Sequence, residues 1–194
     1  VIAILESKIN RDIRLACSSA CHPNIEIAAQ KALIEAYQTF KWLSLLRIEE
    51  GEPDFASDFS LVTDYKFHTL MYEDEQFHSQ LAFLRENLEE SYATDFPKYN
   101  TGAPEKLIGP VLDKIDRAGL DVIAIDITAP DVKQVGLHAV RIFMPGLISL
   151  NSNFRHRSLG QKRLYAFPDL VAGRAPDIEN VEIKELNPYP HPFP

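Results

Sequence analysis

The chain is short of cysteine, of positive charge and of long apolar runs, and each shortage removes a class of protein. Its two cysteines, Cys17 and Cys21, are too few for a disulfide framework in 194 residues. Without a second Cys/His pair nearby they also make a poor zinc site. Lys and Arg number 20 against 28 Asp and Glu, a formal net charge of −8. That balance argues against a general binder of nucleic acid or of anionic membrane. No apolar run approaches the ~20 residues that a membrane-spanning helix needs. There is no Walker-type loop, no Gly-x-Gly-x-x-Gly and no Ser/His/Asp spacing of a hydrolase. An initiator Met is lacking too, and Val1-Ile2-Ala3-Ile4-Leu5 reads as a strand in progress, not as a signal peptide. The expectation is a piece of a longer chain, held in a reducing cytoplasm.

What remains is ordinary for a soluble globular protein, with 45% hydrophobic and 25% charged residues. After the opening strand, residues 7–11 read as a turn and 13–18 as a second strand. Asn24 is a good N-cap for a long helix to about Ile48. Ile25, Ala28, Ala29, Ala32, Leu33, Ala36 and Phe40 recur at helical spacing as its buried stripe, and so many alanines imply close approach to a neighbour. Residues 51–59 form a polar loop. Residues 63–88 suggest two helices broken near Glu73-Asp74-Glu75. Pro97, Gly102 and Pro104 mark 91–105 as a connector.

A helix over 104–118 starts on Pro104 and ends at Gly119, with Pro110 expected to kink it or delay its start. Strands follow at 121–127 and 137–144, joined by Thr128-Ala129-Pro130-Asp131, with a sharp turn at Pro145-Gly146. The helix-to-strand step at Gly119 makes the fold a mixed α+β one, with helices on a mixed sheet. Residues 151–162 are basic and polar, Leu164-Tyr165-Ala166-Phe167 is a short apolar patch, and 173–183 is loop-like. The division expected is one body over 1–186 and a Pro-rich tail over 187–194.

That tail, Asn187-Pro188-Tyr189-Pro190-His191-Pro192-Phe193-Pro194, alternates proline with aromatic or imidazole side chains. Proline fixes φ and biases its predecessor toward extended geometry, so the segment is a stiff polyproline-II-like rod. It is either a docked element, losing little entropy on binding, or a frayed end.

Few side chains point to chemistry by themselves. At 100° per residue, Lys31, Glu35 and Gln38 share an arc of roughly 60° on the long helix. Glu35 stands at the margin of the apolar stripe. Partly desolvated there, it would suit a hard cation such as Mg²⁺; the alternative is an i,i+4 ion pair with Lys31 on a solvated face. His22 precedes the helix, as a cap, a phosphate contact or a plain turn residue. Arg141 sits mid-strand and needs an anionic partner. Arg155, His156, Arg157, Lys162 and Arg163 form the basic cluster of an acidic chain, either a surface loop or an anion site.

Three stretches together resemble one family. Cys21-His22-Pro23-Asn24-Ile25-Glu26-Ile27-Ala28, followed by Lys31-Ala32-Leu33-Ile34-Glu35-Ala36-Tyr37-Gln38, is similar to a signature helix of YcaO-domain proteins. Asp126-Ile127-Thr128-Ala129-Pro130-Asp131-Val132 and then Val140-Arg141-Ile142-Phe143-Met144-Pro145-Gly146-Leu147 resemble that domain's "D-x-T-x-P-D-V" and "V-V-R-x-x-x-P-G-L" strands. Pro190-His191-Pro192-Phe193-Pro194 resembles the terminus of the peptide cyclodehydratase branch, which makes thiazole/oxazole-modified microcins.

The resemblance implies a YcaO-like fold, C-terminal portion, in an enzyme that uses ATP and Mg²⁺. Its reaction would convert Cys, Ser or Thr of a ribosomal precursor peptide to thiazoline or oxazoline by phosphorylating the backbone amide oxygen. Glu35 would be a Mg²⁺ ligand and Gln38 a nucleotide contact, with Arg47, Arg141 and His22 as further cofactor-binding candidates. Pro190, Pro192 and Pro194 would order the active site. A leader-peptide-binding partner and a homodimer are associations that the resemblance allows. The family's earlier, acidic half has no counterpart here, so the 194 residues alone are expected to be inactive, since phosphoryl transfer depends on a complete set of charges. Other readings are thioamide or amidine formation, or a non-catalytic peptide-binding scaffold.

Overall fold

In the computed structural model, which describes residues 1–9, 14–55, 58–86, 89–96, 103–171, 174 and 186–194, the strands pair only in twos. The chain divides into two units. One comprises Val1–Thr101, Leu150–Arg157 and Glu185–Pro194; the other comprises Gly102–Ser149 and Ser158–Lys184. Ile13, Leu88, Pro97, Gly102 and residues 175–183, all of which carry expectations from the sequence, lie outside the described residues.

In the first unit β1 (Ile2–Glu6) pairs antiparallel with β2 (Leu15–Ser19), Ile2 opposite Ser19 and Glu6 opposite Leu15. Against both strands lies α1, Ile25–Glu50. Asn24 caps it as its spacing predicts, accepting the N–H groups of Glu26 and Ile27 at 2.8 and 3.4 Å, a cap worth ~1 kcal/mol. Gly51, at φ 72°, ends the helix by donating its N–H to the Arg47 carbonyl.

The buried seam of α1 is Ala28, Ala32, Ala36, Thr39, Leu43 and Leu46. Its first three side chains are methyl groups, so the strand pair comes close enough for Ser18 Oγ to donate to the Ala32 carbonyl at 2.5 Å. Ala29 and Leu33, expected on this stripe, are exposed. The 3- and 4-residue steps from Ala28 to Leu46 set the seam's direction, and Leu33 falls about 60° outside it. A second apolar face, with Ile34, Tyr37, Leu45 and Ile48, is exposed.

Behind the seam, Leu15, Leu43, Val62, Met71 and Tyr72 form the core. The expected break at residues 73–75 separates α2 (Tyr65–Met71) from Glu75–Leu84, which is a 3₁₀ helix. Glu73 makes the break, its carboxylate accepting the N–H groups of Arg14 and Leu15 at 3.1 and 3.2 Å. Burial pushes that carboxyl up, against the pull of the two N–H donors. Cys17 is also buried, its thiol pushed up to about 12 by burial, so it is an inert core side chain.

The second unit holds α3 (Pro104–Arg117), β3 (Ile123–Asp126), α4 (Pro130–Gln134), β4 (Val140–Phe143) and α5 (Lys162–Val171). The helix α3 begins on Pro104, runs through Pro110 and stops where Gly119 takes φ 64°. Gly119 N–H then reaches the Asp116 carbonyl and Leu120 N–H the Ile115 carbonyl, the paired bonds of a Schellman terminus. β3 and β4 are antiparallel, Ile123 opposite Phe143. The class is therefore α+β, built on two antiparallel pairs in place of one mixed sheet.

The Asp126-x-Thr128 motif is a corner. Asp126 accepts the Thr128 N–H at 2.9 Å and its hydroxyl, while Thr128 Oγ1 accepts the Ala139 N–H at 2.9 Å. Those Thr128 bonds hold the Asp126 carboxyl below the usual carboxylate range. Pro130-Asp131, expected as a link, opens α4. The apolar patch 164–167 lies in α5, which runs on through Pro168, with Ala166 buried. At Gly146, φ 89°, an added Cβ would stand 3.1 Å from Leu120 Cδ2, so the Pro145-Gly146 turn requires glycine.

Candidate functional site

The C-terminal tail is docked, not frayed. Pro190 and Pro192 are buried, and Tyr189 and Phe193 pack against the core of the first unit. The aromatic side of this seat centres on Phe59, a non-glycine residue at φ 52°. Its ring meets Phe154 at 5.3 Å, Tyr189 at 5.7 Å and Phe77 at 6.1 Å, each edge to face. Three such contacts, each worth ~0.5–1.5 kcal/mol, hold a bulky residue in a conformation that it rarely adopts.

The polar side of the seat comes from α2. Its apolar positions turn Leu70 and Met71 into the core, and that same buried side carries His68 and Tyr72 inward. Tyr72 Oη donates to the Pro190 carbonyl at 2.5 Å. His68 places Nδ1 3.1 Å from the His191 carbonyl and Nε2 2.9 Å from the Ser152 carbonyl. The His191 ring stacks on the His68 ring, centroids 3.8 Å apart and planes 12° from parallel. It also sets Nε2 3.1 Å from the Asn151 carbonyl and accepts the Phe193 N–H on Nδ1 at 3.3 Å. Arg157 lies over the Phe154 ring at 4.3 Å and reaches the Asn187 carbonyl at 3.4 Å.

Burial sets the electrostatics. It raises the Tyr72 hydroxyl well above the ordinary phenol value, so Tyr72 stays a donor. Burial pushes His68 below the usual imidazole value, against the two carbonyls and Asp64, which favour the cation. In His191, burial and then the neighbouring His68 lower the ring from 6.5 to about 4, opposing the pull of its own hydrogen bonds. A docked tail thus binds fewer protons at His191 than a released one. The contribution of the neutral His191 ring to docking is therefore fully present above pH 6.5 and is lost as pH falls through about 4. An NMR titration of the His191 ring should give a midpoint near 4; one at 6.5 would contradict a docked imidazole.

Of the residues singled out by sequence, Glu35 and Gln38 share one exposed side of α1. Glu35 is not partly desolvated as expected. It is exposed, just outside the seam's edge at Ala28 and Leu46. Arg47 pairs with Glu52 on the wall of a cavity of about 280 Å³ that Arg14, Phe55 and Glu73 also line. Arg14 pairs across to Glu75. His22 accepts the Asn24 N–H on Nδ1 at 3.0 Å, the turn role.

Arg141, in the second unit, is exposed and lies over the Phe143 ring at 5.5 Å. The basic cluster is split between the units. Arg155 meets Asp58 at 3.8 Å and Arg157 serves the tail, whereas Lys162 and Arg163 start α5. No group of three or more His, Cys, Asp or Glu among the described residues is arranged to hold a metal.

Sequence reasoning missed His68, Tyr72 and the ring of His191. Their signal was two polar-tipped residues four apart on an apolar stripe, opposite a segment with too few N–H groups to satisfy its own carbonyls. Among known proteins, a family model described as YcaO cyclodehydratase, ATP- and Mg²⁺-binding, matches residues 1–148. That span includes both strand pairs, His22, Glu35, Gln38, Arg47 and Arg141. No curated protein matches the chain.

Proposed function

This chain belongs to the YcaO cyclodehydratase family, and from that premise we propose that it works in ATP-dependent azoline formation on Cys, Ser or Thr of a ribosomal precursor peptide. The observation that carries the reading is the docked Pro-x-Pro-x-Pro tail, which resembles the terminus of the azoline-forming branch and is seated by buried hydrogen bonds. Within that reading Pro190, Pro192 and Pro194 order the site.

The donor set on α1 fits Mg²⁺ and nucleotide in part. Mg²⁺ keeps several waters and takes one or two carboxylates plus phosphate oxygens, and Glu35 offers one such carboxylate in contact with solvent. Gln38, on the same side, offers an amide donor and acceptor to the nucleotide. When bound, ATP supplies the phosphoryl group that turns the peptide amide oxygen into a leaving group. The chain's own task is positioning and charge neutralisation, the terms on which phosphoryl transfer depends. The precursor's thiol or hydroxyl adds to the preceding carbonyl carbon and closes the ring, and loss of that oxygen as phosphate, together with the amide N–H proton, leaves the C=N bond of the azoline. Net, the peptide loses one water per ring while ATP becomes ADP and phosphate.

The test uses the full-length protein with ATP, Mg²⁺, precursor peptide and any leader-binding partner protein. Mass spectrometry should show one water lost per ring and phosphate released in equal amount. Unchanged peptide mass would overturn the reading, and exchange of amide oxygen for sulfur would move it to thioamide formation.

A further inference from the structure

The tail cannot hold itself. Pro188, Pro190, Pro192 and Pro194 have no N–H, so the segment cannot pair as a central strand. Its carbonyls still require donors where they are buried. Two donors come from α2 and its cap, four residues apart: Tyr72 Oη to the Pro190 carbonyl and His68 Nδ1 facing the next carbonyl, that of His191. Both side chains are buried, His68 at 1% exposure and Tyr72 at 2%.

We propose that His68 and Tyr72 are positioning residues, a two-pronged clamp that grips consecutive tail carbonyls and so sets the place of the tail in the azoline-forming site; the inference rests on the function proposed above. The grip is on backbone, so it fixes where the prolines stand whatever side chains lie between them. His68 also decides which segment is held. A neutral ring has one N–H. On Nδ1 it bonds the tail and on Nε2 it bonds Ser152, while the imidazolium serves both. The ring of His191, stacked on His68 and directed at the Asn151 carbonyl, keeps the gripped carbonyl in register. An apolar pair of the same size would fill the space and leave both tail carbonyls without these donors.

The clamp is tested in the full-length protein with Tyr72→Phe, which keeps the ring, and with His68→Leu and His68→Gln. Amide hydrogen exchange at Tyr189, His191 and Phe193 reports docking. ATP turnover with Mg²⁺ and a Cys-containing precursor peptide reports positioning. Tyr72→Phe should speed tail exchange and lower kcat by about 10-fold each, the scale of one lost hydrogen bond, with KM for ATP and the far-UV circular dichroism near wild type. His68→Leu should do the same, and His68→Gln, which keeps a donor, should recover part of the loss. Wild-type tail protection in both Tyr72→Phe and His68→Leu overturns the clamp. Tail release with unchanged kcat overturns its positioning role. Should the wild-type protein turn over no ATP with peptide, the proposed reaction fails on its own; the exchange arm then decides the clamp, faster exchange upholding it and unchanged protection refuting it.

Discussion

Glu35→Gln should lower azoline formation by about 100-fold or more while leaving the fold unchanged. The substitution keeps shape and hydrogen-bonding capacity and removes one negative charge. Glu35 is exposed on α1, so the stability change should stay within about 0.5 kcal/mol. With Glu35 a Mg²⁺ ligand, as proposed, the activity change should be far larger, because a preorganised charge in a phosphoryl-transfer site contributes to the transition state itself, typically about 10²–10³ in rate. Raising Mg²⁺ should restore part of the rate, since a weakened metal site fills again by mass action. Activity within a few-fold of wild type, with no shift in Mg²⁺ dependence, would remove Glu35 from the metal site.

Removing Pro192 to Pro194 should cost about 100-fold in cyclisation, the scale of a misplacement near 1 Å at a reacting centre. The first unit should still fold. Its core, with Leu15, Leu43, Val62 and Met71, lies outside the deleted residues, and Phe193 only packs against it from the edge. The His191 ring loses the Phe193 N–H that its Nδ1 accepts and keeps its approach to the Asn151 carbonyl. Circular dichroism should find native secondary structure in the truncated protein, and mass spectrometry should find uncyclised peptide. A truncated protein with full activity would refute the role of the tail prolines.

Local signals were legible where a residue's own chemistry determines the backbone. Asn24, Pro104 and Gly119 mark helix ends because caps and φ preferences act over three or four residues. The alanine stripe announced close packing for the same reason, and Ser18 on the Ala32 carbonyl is its result. The stripe's continuation through Thr39, Leu43 and Leu46 was less visible, since α1 is apolar on two sides and periodicity alone does not say which side is covered. The 3₁₀ form of Glu75–Leu84, with Phe77 and Leu81 turned into the core, depends on tertiary packing that overrides propensity. The candidate site divides similarly. Glu35 and Gln38 came into view as one arc of the helix and took their expected roles from the family pattern, whereas His68 gains its meaning only when Ser152 and His191 are brought to its two nitrogens.

The seat of the tail also bears on the order of folding. The His68 and His191 positions are 123 residues apart in sequence, and those of Tyr72 and Pro190 are 118 apart. Closing separations of that size costs chain entropy before any contact rewards it, whereas α1 on β1 and β2 needs only near neighbours. On these separations the strand pair and its helix should form early and the tail should be seated after the main barrier is crossed. Its hydrogen bonds then act on the rate at which the first unit opens and leave the rate at which it forms nearly untouched. The tail is in this sense a kinetic latch.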